Sequence, residues 1–396
     1  MSVTINPANF ESKKRLNALI AAANTKTNGF ADNITSAMQT LLDGYGTSGG
    51  GVVSEGVAAK AVNFYDYDGT RLYAYTLAEA RALTELPIPP EHDGLVFDGW
   101  NWELSEVNVL TIPAEIGALY NTADNATRIK IYVDDFTNRT VAFKISGLVS
   151  SVGMTVDFGD GSVEEYQGSG IRSHTYESTG SYIVKLITNG TFILLGIESP
   201  NNDFVRAIEY SKKCLATQVG LGYNTQYVTV HSQFNIKDGT AFHTRCKIFP
   251  RTSTVLTARE DTGTKIISIP PTMSSYGTYG CMSTQIARIS VPEGITSVGN
   301  RAFRYCSWLR KAVISSTITT IATQAFDTVT RLTVMIVLPT TPPTIANNTL
   351  NALPTGCVIY VPDESVEAYK TADYWAVYAE QIQGLSNYAG DDIWRE

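Results

Sequence analysis

The chain has 396 residues, enough for two to four domains at about 150 residues each. Thirty Lys and Arg against 38 Asp and Glu leave a net charge of −8, and 43% of the residues are hydrophobic. Only 17% are charged, against roughly a quarter in typical soluble domains. This composition can bury a core in each domain, whereas the negative charge disfavours nucleic acid as a partner.

The beginning of the sequence lacks the pattern of a secretory signal. The basic residues Lys13, Lys14 and Arg15 come after the short apolar stretch, and no apolar segment follows them. No uninterrupted apolar run approaches the roughly 18 residues that a membrane span requires. The cysteines are odd in number and far apart, so we expect buried thiols and folding in a reducing cytoplasm. They are Cys214, Cys246, Cys281, Cys306 and Cys357.

Two apolar stripes at helical spacing predict two short amphipathic helices between Phe10 and Leu42. Neither helix can bury its apolar face alone, so we expect an assembly interface with a partner subunit or a larger particle. Packing back onto the same chain is an equally open alternative. The interface residues would be Leu16, Leu19, Ile20, Phe30, Ile34 and Leu41. Residues 1–43 are thus predicted as an anchor, followed by a glycine-rich linker over 44–60.

Residues 61–125 combine short alternating strands with a predicted helix from Leu77 to Leu83. A proline-rich connection, 87–90, then leads into a run from Asp93 to Trp102 that reads DGLVFDGWNW. This run resembles the internalin-type B-repeat of bacterial surface proteins. The resemblance implies a small β-grasp-like module.

Residues 126–197 read as strands separated by turns at short intervals, which is typical of an all-β sandwich. The run VDFGDGS at 156–162, followed by HTYESTGSYIVKL at 174–186, resembles the PKD family of immunoglobulin-like domains. Gly159 and Gly161 can supply a positive-φ turn, and Tyr182, Val184 and Leu186 can alternate inward. Val156 stands where many PKD members have tryptophan.

The strongest pattern is an internal repeat in the second half of the chain. A unit that starts at Ile289 recurs 23 residues later at Ala312, and a degenerate copy starts at Ile267. A weaker echo at 228–248 suggests that the array begins before residue 230. In the two clearest copies Val291, Ile295, Val298, Ala302, Phe303 and Leu309 align with Ile314, Ile318, Ile321, Ala325, Phe326 and Leu332. Each unit can bury its apolar edge only against a neighbour, so the units must stack into a solenoid.

The repeat resembles the BspA-like leucine-rich repeats of bacterial surface proteins. The segments TPPTI at 341–345, VIYVP at 358–362 and SVEAY at 365–369, with Trp375, resemble the closing unit of such arrays. We expect Asp363 to cap the last helix, which would cover the open end. Residues 198–396 are therefore predicted as the solenoid with its C-terminal helical cap. The fold class as a whole is mainly β and multidomain.

An alternative enzymatic reading starts from the run DYDGT at 66–70, which fits the nucleophile motif of haloacid dehalogenase phosphatases. Asp66 would accept the phosphoryl group, Asp68 would act as acid and base, and Asp134 and Asp135 would hold Mg²⁺. Such a site needs strand–helix units and a lysine between these groups. The only lysine there, Lys130, shares a strand with the metal pair. We therefore favour a simple hairpin turn at Asp68-Gly69.

The remaining polar residues form no recognisable catalytic or metal-binding pattern. Asp157, Asp160 and Glu164 could suggest calcium, but in a PKD-like domain Asp160-Gly161 is first a turn. The four histidines have no ligand spacing. They are His92, His174, His231 and His243. We expect no catalytic residue, no metal and no cofactor.

Three aromatic residues fall between the buried positions of the repeats and should point outward: Tyr279, Tyr305 and Trp308. Exposed rings on a hydroxyl-rich surface suit contact with a glycan or a protein. The alternative is that they close gaps between adjacent coils.

Together these features predict a non-enzymatic protein of a tailed-phage virion, such as a tail fibre, baseplate accessory protein or capsid decoration. It would be assembled in the host cytoplasm, released by lysis and displayed to contact host-surface glycans or proteins. Partners would be other virion proteins, bound through the N-terminal segment, and copies of the same chain, with a trimer as the first expectation. Nucleic acid binding and membrane insertion are not expected. A bacterial cell-surface adhesin is the alternative from another class.

Overall fold

The computed structural model describes residues 61–134, 139–197, 204–217, 225–234, 247–252, 255–256 and 266–388. All of them belong to one compact unit that spans Ala58–Glu396. The predicted N-terminal helices, with Leu16, Leu19, Ile20, Phe30, Ile34 and Leu41, and the glycine-rich linker lie outside the described residues. Within the described ranges, no helix has both the length and the apolarity needed to cross a membrane.

The described part of the chain is mainly β, with few and short helices. The strands of its first half are β1 (Val62–Tyr65), β2 (Arg71–Tyr75), β3 (Leu95–Trp100), β4 (Ala114–Thr122), β5 (Thr127–Val133), β6 (Thr140–Ser146), β7 (Gly153–Asp157), β8 (Val163–Gln167), β9 (Gly170–Thr175), β10 (Gly180–Thr188) and β11 (Phe192–Ile197). The later strands are β12 (Val205–Glu209), β13 (Cys214–Thr217), β14 (Tyr227–Thr229), β15 (Val255–Leu256), β16 (Ser275–Tyr276), β17 (Arg288–Val291), β18 (Ser297–Val298), β19 (Lys311–Ile314), β20 (Thr320–Ile321), β21 (Val334–Val337), β22 (Val358–Val361) and β23 (Ile382–Gly384). The α-helices are α1 (Leu77–Arg81), α2 (Leu104–Val107) and α3 (Val366–Thr371).

The first module is a four-stranded sheet in the order β2-β1-β4-β3. Strands β1 and β4 pair in parallel, and the outer strands pair antiparallel with them. The β1–β2 hairpin turns at Gly69, whose φ is 89°, so the DYDGT run forms the turn that we favoured over a phosphatase site. Helix α1 begins at a capping box formed by Thr76 and Glu79. It ends at Arg81, two residues before the predicted end.

Two further sheets enclose a common hydrophobic core in the next module. Val184 and Leu186 of β10 are fully buried in it, and Tyr182 packs against it, as the alternation predicts. The β7–β8 hairpin turns through Gly159 and Gly161 at φ values of 81° and 98°. At Gly159 a Cβ atom would lie only 2.7 Å from the Ile183 carbonyl oxygen, so the position accepts glycine alone.

These sheets continue past the predicted module boundary at residue 197. The six-stranded sheet has the order β14-β12-β5-β10-β7-β8, and the four-stranded sheet has the order β13-β11-β6-β9. Strands β12 and β14 pair in parallel, like the rungs of the repeat array, while β12 also pairs antiparallel with β5. The same hydrogen-bonded sheet therefore extends from residues before 197 into residues after it.

The repeats stack in parallel, coil on coil. One sheet has the order β17-β19-β21-β22-β23 and the other β15-β16-β18-β20. Val291 pairs with Ile314 and Val298 pairs with Ile321, which confirms the predicted 23-residue register. All twelve aligned apolar positions are buried and belong to a single core. Phe303 lies inside this core, with its ring 5.0 Å from Phe326 and 5.3 Å from Tyr276, measured between ring centroids.

The C-terminal unit covers the end of the array through two large buried rings. Tyr369 donates its hydroxyl to the Pro339 carbonyl, and Trp375 donates its indole N–H to the Pro343 carbonyl. The prediction that Asp363 caps the last helix is wrong. Ser365 is the N-cap residue of α3, and Asp363 accepts hydrogen bonds from the backbone and hydroxyl of Ser386 instead. Asp363 begins a 3-10 turn, Asp363–Ser365, that delays the helix and places its carboxylate too early to cap it.

The first module packs against the solenoid. Ile112 lies on the outward face of the long solenoid sheet, in one cluster with Val313 and Ile336. Asn101 donates to the Phe249 carbonyl and lies 2.8 Å from the Ser268 hydroxyl. Asp98 accepts hydrogen bonds from Ser232, which follows β14. The module is therefore held at several successive coils.

Phe303→Ala should lower the free energy of unfolding by about 3–5 kcal/mol, because it leaves a cavity between Tyr276 and Phe326. Tyr305→Ala, two residues away, removes a surface ring and should change stability by no more than about 1 kcal/mol. Urea unfolding followed by circular dichroism measures both. Equal losses would contradict the inward position of Phe303.

Glu115 provides a pH-dependent test of the packing between the first module and the solenoid. Its Oε1 lies 3.9 Å from Arg288 Nη1, and 15% of its side chain is exposed. Burial raises the pKa of Glu115 to about 8, although Arg288, Tyr65, Arg71 and Lys311 oppose this rise. The folded protein therefore keeps a proton that the unfolded chain loses near pH 4.5.

The free energy of unfolding should thus fall as pH rises from about 4.5 to about 8, by at most about 1.4 kcal/mol per pH unit. Glu115→Gln should flatten this dependence, whereas the exposed Glu85→Gln variant should follow the wild type. Denaturant titrations at four pH values provide the measurement. An identical pH profile for wild type and Glu115→Gln would refute the assignment.

Candidate binding surface on the solenoid turns

The turns of successive coils repeat an unusual backbone conformation. Tyr279, Arg301 and Gln324 have φ values of 63°, 57° and 57° at equivalent positions. Tyr305 and Thr328 form a second row, at 58° and 60°. The left-handed conformation costs roughly 1–2 kcal/mol for a residue with a Cβ atom, so the surrounding structure must hold it.

Hydrogen bonds between coils hold these turns in place. The Tyr279 N–H donates to the Asn300 carbonyl at 2.9 Å, and the Arg301 N–H donates to the Thr323 carbonyl at 3.0 Å. In the second row, the Tyr305 N–H donates to the Asp327 carbonyl at 3.0 Å. Each turn is therefore fixed by the next coil, and side chains on the turns project from a rigid base.

Of the three predicted surface aromatics, Tyr279 and Tyr305 lie on these left-handed turns and Trp308 lies three residues after Tyr305; the three are not equally exposed. Tyr305 and Trp308 each keep 42% of their surface in solvent, as predicted. Tyr279 is half-buried, and its hydroxyl oxygen lies 2.6 Å from Arg301 Nη1. Tyr279 therefore partly fills the gap between coils, which was the alternative left open by the sequence.

An arginine lies over each aromatic ring. The Arg304 guanidinium carbon is 4.3 Å from the centroid of Tyr305, and that of Arg331 is 4.5 Å from the centroid of Trp308. Arg301 lies 5.4 Å from the centroid of Tyr279. Such pairs are attractive by roughly 0.5–1 kcal/mol at exposed positions. We define the arginine–aromatic surface as Tyr279, Arg301, Arg304, Tyr305, Trp308 and Arg331.

Asp327 anchors this surface from within. Its side chain is almost fully buried, and Oδ2 accepts a 2.7 Å hydrogen bond from Arg304 Nε. Oδ1 accepts from the Thr328 hydroxyl and from Asn351 of the following coil. One carboxylate thus ties three consecutive coils together and fixes the arginine that stacks on Tyr305.

The charge of this region is opposite to that of the whole chain. Residues 266–353 contain six Lys or Arg and two Asp or Glu, which gives a net charge of +4, whereas the whole chain carries −8. One of the two acids is the buried Asp327, which is already paired. Lys311 is also buried and Arg288 lies near Glu115, so the exposed excess of positive charge is smaller than +4 but remains positive.

Comparison with known protein families identifies the type of repeat. The family model of the BspA type leucine rich repeat region matches residues 259–353, in six copies. These repeats are BspA-like leucine-rich repeats. The BspA-like region includes every residue of the arginine–aromatic surface.

No curated protein matches this chain. Among solved structures, the chain is similar to a leucine-rich repeat protein from Bacteroides ovatus ATCC 8483, at 15% sequence identity and a TM-score of 0.26. The match covers 45% of this chain and 52% of that one, so it spans about half the length of the Bacteroides protein.

The residues of the alternative phosphatase site have structural partners. Asp66 is buried, and its Oδ2 lies 2.7 Å from His92 Nε2. Asp68 Oδ1 accepts from the Thr70 backbone within the hairpin turn. Asp134 is described but Asp135 is not. In the ranges covered by the structure, no group of three or more His, Cys, Asp or Glu is placed to hold a metal ion.

The acidic residues of the β7–β8 hairpin are also engaged locally. Asp157 accepts from the Gly159 N–H, and Glu164 accepts from the Tyr166 hydroxyl. Burial acts to raise the pKa of Asp160, but hydrogen bonds from Ser162 and His174 lower it below its usual value. His174 in turn stacks on Phe158, with ring centroids 4.5 Å apart. Asp160 and His174 therefore stabilise the turn together.

Sequence reasoning found the aromatic rings but missed their arginines and Asp327. The repeat period contained the missing signal, because Arg301 follows Tyr279 by 22 residues and Arg331 follows Trp308 by 23. Residues one period apart are neighbours in a solenoid. Applied to the polar positions, the same alignment would have predicted both pairs.

Asp327→Asn should lower the free energy of unfolding by about 1–3 kcal/mol, because it removes the charge from a buried acceptor of Arg304. The matched control is Asp373→Asn, an exposed substitution in the C-terminal unit that should leave stability unchanged. Thermal unfolding measures the difference. If both variants have the same melting temperature as the wild type, Asp327 does not anchor the coils.

Proposed function

We propose that the protein is a non-enzymatic structural protein of a tailed-phage virion that binds the surface of the host cell through its solenoid. The observation that carries this proposal is the placement of Tyr305 and Trp308. Tyr305 lies on a left-handed turn that the next coil holds in place, Trp308 follows three residues later, and both rings remain in solvent although exposure of apolar rings is unfavourable. Such preorganised rings are characteristic of binding surfaces, since little side-chain freedom is lost when a partner binds.

The arrangement of the repeats suits recognition over an extended surface. Each coil places its turn beside the turn of the next coil, so a ligand longer than one coil can contact equivalent positions in series. Polysaccharides and protein surfaces have this extended form. A small-molecule substrate would instead require a concave site with converging polar groups.

The other modules have supporting roles in this proposal. Residues 126–197 would be a PKD-like immunoglobulin module, which is supported by the Gly159–Gly161 turn and by the packing of His174 on Phe158. Residues 61–125 would be a β-grasp-like module. Residues 1–43 would attach copies of the chain, as a homo-oligomer, to the other virion proteins.

Mass spectrometry of density-purified particles from a host that carries this gene should detect the chain. A variant that lacks residues 1–43 should fold but should be absent from the particles, because the attachment segment is missing. The full-length chain expressed from the same promoter is the control. Particles without the chain, or normal incorporation of the truncated chain, would refute the virion assignment, and recovery in the bacterial cell-surface fraction would favour the adhesin.

A further inference from the structure

Two cations of the arginine–aromatic surface have no acidic partner among the residues that the structure describes. Arg331 is exposed, and within the described residues its guanidinium contacts the Trp308 ring and forms no ion pair. Arg301 donates to two neutral oxygens, Gln324 Oε1 and the Tyr279 hydroxyl, and likewise has no acidic partner there. Two of the three guanidinium groups therefore remain available to an anion.

The same two pairs present planar cations beside aromatic rings. A guanidinium group can bind a carboxylate through two parallel hydrogen bonds, which an ammonium group cannot reproduce. An aromatic ring packs well against the apolar face of a sugar ring, and Trp308 keeps 42% of its surface in solvent for this contact. A sugar that carries a carboxylate satisfies both groups within one monomer.

The spacing of the pairs favours a polymer of such sugars. Tyr279 lies one coil before Arg301 and Trp308, and Arg331 lies one coil after them, where neighbouring strands in a sheet are about 4.8 Å apart. The local charge of +4 attracts a polyanion, while the overall charge of −8 disfavours long nucleic acids that would also contact the rest of the chain.

We propose that the arginine–aromatic surface binds an acidic polysaccharide of the host envelope, with sugar carboxylates at Arg331 and Arg301 and sugar ring faces at Trp308 and Tyr305. This inference rests on the proposed function, since it specifies the ligand of the same surface. It also separates the roles of the three arginines, because Arg304 is held by Asp327 and supports Tyr305.

The test measures binding of the purified full-length chain to immobilised polygalacturonate, alginate and polysialic acid by biolayer interferometry. The chain should bind at least one of these carboxylate polymers. Chemical reduction of the carboxyl groups in that polymer should abolish binding, and dextran sulfate should bind at least tenfold more weakly, since simple attraction between charges does not need a planar carboxylate.

Substitutions at two positions test the assigned residues. Arg331→Gln and Trp308→Ala should each weaken binding about tenfold, and Arg331→Lys should also weaken it although the charge is kept. Arg206→Gln is the matched control, because Arg206 lies over Tyr132 in the preceding module, 5.5 Å from its ring centroid. This control should bind as the wild type does. Circular dichroism verifies that each variant is folded, and Arg331, which is exposed, can be replaced without loss of core packing.

Three results would overturn the inference. These are the absence of binding to all three carboxylate polymers, equal binding of the reduced polymer, and equal binding of duplex DNA or dextran sulfate with no effect of Arg331→Gln.

Adsorption of the chain to intact host cells separates the two proposals. If the wild type and Arg331→Gln adsorb equally, the acidic-polysaccharide assignment fails while host binding stands, and if neither adsorbs, host binding itself fails.

Discussion

Parallel pairing of one coil with the next is the interaction on which the rest of this structure depends. Each repeat has a buried apolar edge that no residue within the repeat can cover, so stability comes from contacts 22 or 23 residues apart, such as Val291 with Ile314. The same stacking fixes the backbone hydrogen bonds of the turns and holds Tyr279, Arg301 and Tyr305 in a left-handed conformation. The arginine–aromatic surface is thus a direct product of the packing that forms the core.

Contacts between the modules add a second level of order. The first module contributes Ile112 to a cluster with Val313 and Ile336 on the outward face of the solenoid sheet, and Glu115 approaches Arg288 beside it. An outward sheet face with such apolar residues would otherwise be exposed to water. The contact between the first module and the solenoid therefore shields apolar side chains of both from water.

The repeat register, the buried positions and the exposed rings could be predicted from the sequence because they follow a regular period. Val298 and Ile321 illustrate this, since their pairing follows from the alignment alone. The contacts of Ile112 and Glu115 with the solenoid could not be predicted, because they join residues 173 to 224 positions apart with no repeating pattern. The prediction that Asp363 caps the last helix failed for a local reason. Asp363 lies in a 3-10 turn before α3, and the sequence does not distinguish that turn from the first turn of the helix. The arginines beside the rings were predictable in principle, but only if the period is read for polar as well as apolar residues.

The contacts of the first module also limit how this array can evolve. Asn101 meets Ser268, and Ile112 meets Val313 and Ile336, so the first module contacts coils that are several repeats apart. Duplication of a coil between these points would displace the later contacts by about 4.8 Å and break them. The contacts of the first module therefore fix the number of coils between Ser268 and Ile336.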